Sequence, residues 1–487
     1  MSQEVRVLEP DSLWKHFADL NEVPRASKRE ERVIQFMVDF GKVLDLETII
    51  DEVGNVIIKK PATSGMENRQ TIVLQSHLDM VHQKNADTNF DFDVEGIKMK
   101  VDGDWVHALG TTLGADNGIG VATIMAVLAS KEIEHPSIEA LFTIDEETGM
   151  TGALGLKGGI LTGSILLNLD TEDDDELTIG CAGGVDVSIQ GDYTETDVEE
   201  NFSAYKLSVK GLTGGHSGMD IHKGRGNANK IMNRILLELS NKINLKIASI
   251  DGGGLRNAIP RESFSIICVD QAQKADCDAI IKSFKGILKR EYKTTDQDFK
   301  IELEKTDLQK RVLSDGFTLQ ILRAIYACPN GIYRMSPDIP GLVQTSNNLA
   351  RVLVKNGKYE VLCLTRSSVD SEKDDLAQAI KATFELIGAK VGNGGSYPGW
   401  TPKPDAPIIK MMSNLYIELF EDQPNVNACH AGLECGIIGL NYPEMDMISF
   451  GPNIRGAHSP DEKVQISSVQ KYWKYFLEVL KRIPEKE

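Results

Sequence analysis

Cysteine is sparse in this chain of 487 residues. The seven present (Cys181, Cys268, Cys277, Cys328, Cys363, Cys429 and Cys435) are odd in number, scattered and without a C-x-x-C pair. That pattern argues against a disulfide framework or a zinc ribbon and suits free thiols in a reducing compartment. Positive charge is also short. Lys and Arg number 53 against 72 Asp and Glu, a formal net charge of −19. Nucleic acid and anionic membrane surfaces reward a basic face, so neither is expected as a partner. No run approaches the roughly 18 apolar residues of a membrane span, and the N-terminal MSQEVRVLEPDSLWKHF lacks a basic stretch followed by an apolar one. The expectation is a cytoplasmic globular protein acting on a small substrate.

The length allows two or three domains. Helical spacing runs through Leu13, Trp14, Phe17 and Leu20, then through Val33, Ile34, Met37, Val38 and Val43 after a break at Pro24. From Thr48 to Lys60 short β-rich runs flank Gly54-Asn55, the pattern of a hairpin. Strands at 71–75, 138–144 and 165–169 then alternate with a helix at 118–130, which predicts an α/β domain with helices on both faces of a sheet. After Gly183-Gly184 the style changes. Strands such as KLSVKG and SFSIICVD are separated by long helical stretches, as in a second, α+β domain. A glycine-rich joint at 392–396 leads to a helix near 408–419, the strand MDMISF and a closing helix at 466–483. Residues 1–186 and 397–487 are therefore read as one discontinuous domain, with 187–396 inserted into it.

Several expected strand ends carry ionisable residues. The run Thr71-Ile72-Val73-Leu74 ends in SHLDM, where His77 and Asp79, two apart, point to one face. Asp116 lies in GADNG before a helix, Glu146 and Glu147 in DEETG after a strand, Asp170 in NLD after another, and His458 in GAH late in the chain. Ligands bind at the carboxyl ends of strands in open α/β sheets, so these places can converge. Two histidines and three carboxylates suit two divalent ions sharing one bridging carboxylate. Each residue also has a plainer reading. Asp116 fits a helix N-cap. Glu146 and Glu147 fit a solvated turn, Asp170 the start of the acidic run Asp170–Glu176 in a solvated loop, and His458 a loop residue serving backbone carbonyls.

Taken together, SHLDM, GADNG, DEETG, NLD and GAH resemble, in order and setting, the di-zinc aminoacylase and carboxypeptidase superfamily. Within it they are most similar to the aminoacyl-histidine (Xaa-His, or cytosolic non-specific) dipeptidases of bacteria. The resemblance spans nearly the whole chain, including Gly214-Gly215-His216-Ser217-Gly218 and Gly252-Gly253-Gly254-Leu255-Arg256-Asn257-Ala258-Ile259-Pro260 in the inserted part. It implies a catalytic domain with a central mixed sheet flanked by helices, and an inserted α+β lid domain. Asp116 would bridge two divalent metal ions, zinc by default with cobalt or manganese as alternatives. His77 and Asp170 would complete one site, and Glu147 and His458 the other. Asp79 would orient His77, and Glu146 would be the general base. His216, Asn257 and Arg366 would contact substrate; the sequence leaves open whether the chain forms a homodimer.

That set matches what cleavage of a dipeptide requires. An amide is a poor electrophile with a poor leaving group, so it needs carbonyl polarisation, an activated water and a proton carrier. A guanidinium such as Arg366 binds a free carboxylate bidentately, although a surface ion pair with Asp370 or Glu372 is its plainer use. The acids at 172–176 are candidates for holding a substrate's α-ammonium.

Rival readings remain within the sequence. GHSGM approaches the G-x-S-x-G elbow of a serine hydrolase, but Met219 breaks it. Gly118-Ile119-Gly120 lacks the third glycine and preceding strand of a dinucleotide site. An N-acyl amino acid deacylase or carboxypeptidase would use the same metals and base. A silent metal- or peptide-binding module would most simply have lost the base, and Glu146 is present.

Overall fold

A computed structural model describes residues 3–486, which divide into two compact units. The first comprises the chain up to Gly180, Trp400–Ala428 and the segment from Leu433 onward. The second comprises Cys181–Gly399 with the short return Cys429–Gly432.

Among the described residues, the first unit's main sheet runs in the order Glu47–Ile50, Val56–Lys60, Ile138–Thr143, Ile72–His77, Ile165–Asn168, Asp446–Ser449, Glu176–Cys181 and Asn425–Cys429. Ile138–Thr143, Ile72–His77, Ile165–Asn168 and Asp446–Ser449 are mutually parallel. Toward the edges the pairing is antiparallel, so the sheet is mixed. Every residue of Ile72–His77, Ile138–Thr143 and Ile165–Asn168 is buried, as expected where both faces of a parallel sheet are covered. The hairpin at Gly54-Asn55 is present, and Asp51 Oδ1 caps it by accepting the N–H groups of Val53, Gly54 and Asn55.

Three helices expected from periodicity lie at Asp11–Asn21, Glu31–Val43 and Ile466–Lys481. A further helix, Ala115–Ala129, is apolar and buried almost throughout, which marks a helix enclosed by its own domain. Gly120 permits that enclosure: a Cβ there would lie 2.7 Å from the carbonyl oxygen of Leu169. A small sheet in the order Ile454–Arg455, Lys463–Gln465, Trp105–Ala108 and Met99–Asp102 completes this unit.

The second unit is built on an antiparallel sheet. Its order is Lys300–Thr306, Phe202–Lys210, Ser263–Asp270, Leu245–Gly253, Val343–Lys355, Lys358–Ser367, Gly183–Asp192 and Lys390–Tyr397, with Gly331–Met335 paired to Val343–Lys355. The helices Ala228–Lys242, Lys274–Glu291, Asp315–Ala327 and Asp370–Glu385 share with it a core that includes Val187, Leu207, Ile247, Ile267, Val352, Val361, Leu236 and Ile380. The glycine-rich segment at 392–396 corrects one expectation. It is no joint but part of the exposed strand Lys390–Tyr397, because Gly183–Asp192 supplies it with a hydrogen-bonding partner.

Candidate metal centre

The carboxyl ends of three parallel strands, Ile72–His77, Ile138–Thr143 and Ile165–Asn168, deliver His77, the pair Glu146 and Glu147, and Asp170, as the rule for α/β sheets requires, while Asp116 comes from the start of the helix Ala115–Ala129 and His458 from the loop after Ile454–Arg455. His77 is the last residue of its strand and 1% exposed. Its Nδ1 lies 3.1 Å from the main-chain oxygen and 3.4 Å from Oδ1 of Asp79, which turns Nε2 outward. Nε2 then sits 3.1 Å from Asp116 Oδ1 and 3.5 Å from Asp170 Oδ1. Asp116 directs its other oxygen to His458 Nε2 at 3.2 Å, and the same nitrogen is 2.8 Å from Glu147 Oε2.

Two groups of candidate ligands result: His77, Asp116 and Asp170 in one, and Asp116, Glu147 and His458 in the other, with ligand atoms within 4.8 Å in each. One carboxylate belongs to both. Asp116 therefore does not serve as the helix N-cap; that position is Gly114, held at φ 68°, and the Asp116 carboxylate faces the histidines instead. Asn117 points its amide nitrogen at Asp170 Oδ1 and the Leu169 carbonyl, so it orients a second acid of the group.

The groups of this cluster strongly shift one another's titration. Burial opposes protonation of His77, yet Asp170, Asp116 and Asp79 together raise it well above the usual histidine value. Hydrogen bonds to Asp116 and Glu147 push His458 up to about 11, although the side chain is 57% exposed. Burial, reinforced by Asp116 and Glu147, raises Asp170 to about 6. Glu147 Oε1 is buried without a hydrogen-bond partner among the described residues. Converging carboxylates, imidazoles drawn toward protonation and an orphaned carboxylate oxygen make a donor set suited to divalent cations.

Asp79 does more than face His77. It is fully buried; Oδ1 accepts the Glu146 N–H at 3.0 Å, and Oδ2 accepts the Glu147 N–H at 3.3 Å and the Ser27 hydroxyl at 2.8 Å. One carboxylate thus fixes both the imidazole and the turn bearing Glu146 and Glu147. That turn is no solvated loop: the Glu147 side chain is buried, and burial raises Glu146 well above the usual carboxylate range. Glu30, Asp79 and Asp145 form a third acidic group. Its demands are met by protein: Asp145 takes the Lys28 ammonium and the hydroxyls of Thr148 and Thr151, while Glu30 takes the Lys28 N–H.

In the second unit, His216 Nδ1 accepts the N–H groups of Gly218 and Met219 at 3.2 and 3.0 Å. A neutral ring so held carries its proton on Nε2, and burial together with Arg366 lowers its pKa. Arg366 is 5% exposed and donates to the Tyr397 hydroxyl at 2.7 Å and the Ser217 hydroxyl at 3.4 Å. No carboxylate lies within ion-pair distance of it among the described residues. The proposed surface pairs are taken elsewhere, Asp370 by Lys373 and Glu372 by Arg334. Asn257 is exposed, and its main-chain oxygen accepts the Ser217 N–H at 2.8 Å.

Sequence reasoning missed several residues here. Burial, Arg366 and His216 depress His430 to about 3, and it meets the Ser346 hydroxyl at 2.7 Å. Glu434, fully buried, accepts from Gln75 and Thr143 and is raised to about 8 by burial. Arg25 and Glu462 surround the Asp116 turn. Of the acidic run after Asp170, Asp173 pairs with Arg455 and Asp174 with Lys471. None of them stands in a motif that marks it in the sequence, although Glu462 lies only four residues beyond His458.

The model of peptidase family M20/M25/M40 matches residues 73–482. The chain belongs to this family. It is 43% identical over 484 residues, 99% of the chain, to the whole of the cytosol non-specific dipeptidase of Escherichia coli (strain K12). The crystal structure of aminoacylhistidine dipeptidase from Vibrio alginolyticus matches with a TM-score of 0.94 and 43% identity, covering 100% of both chains. Aminopeptidase PepT from Bacillus cereus shares the fold at a TM-score of 0.57 and 15% identity, over 98% of this chain and 99% of its own.

Proposed function

We propose that the chain is a metal-dependent dipeptidase that hydrolyses unblocked dipeptides, Xaa-His among them, with two zinc ions and Glu146 as general base. The observation that carries this reading is the shared carboxylate Asp116, with one oxygen toward His77 and the other toward His458. Full-length identity to a dipeptidase supports the substrate class, and that relative's name supports a cytosolic location. Among the described residues no helix is long and apolar enough to cross a membrane.

His77, Asp116 and Asp170 would hold one ion, and Asp116, Glu147 and His458 the other. When bound, such a pair lowers the pKa of a water and polarises the scissile carbonyl. The remaining work falls to the chain. Asp79 fixes the tautomer of His77 through Nδ1, keeping Nε2 free as a ligand. Glu146, held by its N–H on Asp79 and raised by burial toward the range of a proton carrier, takes a proton from the attacking water on a carboxylate oxygen and returns it to the departing nitrogen.

Recognition is assigned to the inserted domain, read from the sequence as 187–396. Arg366, a buried guanidinium with no carboxylate at ion-pair distance among the described residues, suits the free carboxylate of the substrate. His216 with its proton on Nε2 and Asn257 supply hydrogen-bond donors for substrate or developing oxyanion. A homodimer is proposed as well, and sedimentation tests it.

The test is amino acid release from Ala-His, Gly-Leu, β-Ala-His, acetyl-Leu and a tripeptide by chelator-stripped protein, with and without added zinc. Zinc-restored cleavage confined to the unblocked dipeptides is expected. Cleavage of acetyl-Leu would favour a deacylase, and no cleavage with metal bound would overturn the reading.

A further inference from the structure

His458 stands on weak support of its own. It sits at φ 63°, more than half exposed, in the loop between Ile454–Arg455 and Lys463–Gln465, strands of two and three residues. Such a loop needs fastening if its imidazole is to keep a fixed place opposite Glu147. Glu462, on the returning arm of the same loop and 2% exposed, supplies a fastening. Its Oε2 accepts the N–H groups of Leu113 and Gly114 at 2.7 and 2.9 Å, and its Oε1 those of Ala115 and Asp116 at 2.7 and 3.3 Å. One buried carboxylate thus absorbs four consecutive backbone donors of the turn that delivers Asp116. Among the described residues no other side chain accepts from those four groups.

The other half of the centre has an independent tie. Arg25 donates to the carbonyl of Gly114 and, through its other terminal nitrogen, to the carbonyls of Leu78 and Asp79 at 3.1 and 3.2 Å. The Asp116 turn is therefore joined to the His77 strand by Arg25 and to the His458 loop by Glu462.

We propose that Glu462 is a positioning residue for the half of the centre formed by Asp116, Glu147 and His458. It sets the affinity of that half for its cation and leaves the half at His77, Asp116 and Asp170 little changed. The inference rests on the two-ion reading above. It assigns Glu462 no contact with metal or substrate, only control of the distance between two ligand-bearing segments. A carboxylate is required, because four N–H donors need two full acceptor oxygens, and the amide of a Gln would turn an NH₂ group toward two of them.

The experiment is calorimetric titration of Zn²⁺ into chelator-stripped full-length protein, with ions counted after gel filtration, for the wild type, E462Q and E462D. The wild type is expected to hold two ions. E462Q should keep one near wild-type affinity and bind the other about 10–100-fold more weakly, the loss typical of a residue that orients a ligand. E462D keeps the charge with a shorter reach and should fall between. A lower thermal midpoint with two ions at wild-type affinities would overturn the inference and leave the proposed function standing. Failure of both variants to fold, while the stripped wild type is folded, would also overturn it by making Glu462 a residue of the fold. Fewer than two ions in the wild type would overturn the two-ion reading and this inference with it.

Discussion

His77 and Asp116 meet at 3.1 Å, Nε2 to Oδ1, while the second oxygen of Asp116 turns to His458 at 3.2 Å. One side chain thus stands in both halves of the centre, and the variants should reflect it. Asp116→Ala is expected to weaken both ions by more than the roughly 10–100-fold that follows loss of an orienting partner, whereas His458→Ala weakens one. Metal content of the purified variants by mass spectrometry checks this. Equal losses in the two would argue against a shared ligand.

Glu146 is assigned proton transfer and no metal. Glu146→Gln should lower kcat by about 10²–10⁴-fold, the range for a removed general base. Metal content and KM should stay near wild type. Loss of an ion in this variant would reassign Glu146 as a ligand.

Arg366 is assigned the substrate carboxylate. Arg366→Ala should lower kcat/KM for a free dipeptide by about 30-fold or more, since losing one partner of a buried charge pair costs about 2–5 kcal/mol. The same dipeptide with an amidated C-terminus should be hydrolysed poorly by the wild type and little worse by the variant. An equal drop on both substrates would remove the carboxylate from the assignment.

His430 gives a pH signature away from the metal centre. Burial, with Arg366 and His216, holds it at about 3, below its ordinary 6.5. The unfolded chain therefore binds a proton at this residue between these two values while the folded chain does not, and stability falls as pH drops through that window. Above 6.5 the contribution is complete. In chelator-stripped protein, the thermal midpoint of His430→Gln should decline less steeply than that of the wild type from pH 6.5 to 4.5. Parallel curves would show that His430 is not held neutral.

The parts of this structure written in local pattern were legible in the sequence. Helical spacing placed Asp11–Asn21 and Glu31–Val43, and Gly54-Asn55 placed the first hairpin. The centre was legible because four of its members follow apolar strands, where an acid or imidazole is out of place unless it has work to do. What escaped depends on contacts between distant segments. Glu462 reads as one more surface acid until its oxygens are seen to accept four N–H groups over 340 residues away in sequence. Asp79 was legible as a partner of His77, but its hold on the Glu146 and Glu147 N–H groups was not. The segment at 392–396 was misread because glycines suggest a joint and nothing local announces the strand Gly183–Asp192 as their partner. Cys429–Gly432 joins the second unit without any shift in composition.

The most direct test of the account is anomalous diffraction at the zinc edge from crystals of the zinc-loaded protein. Two peaks are predicted about 3.5–4 Å apart, one on each side of the Asp116 carboxylate, the first also bound by His77 and Asp170 and the second by Glu147 and His458. A single peak, or two peaks of which only one touches Asp116, would contradict the claim that this carboxylate is shared.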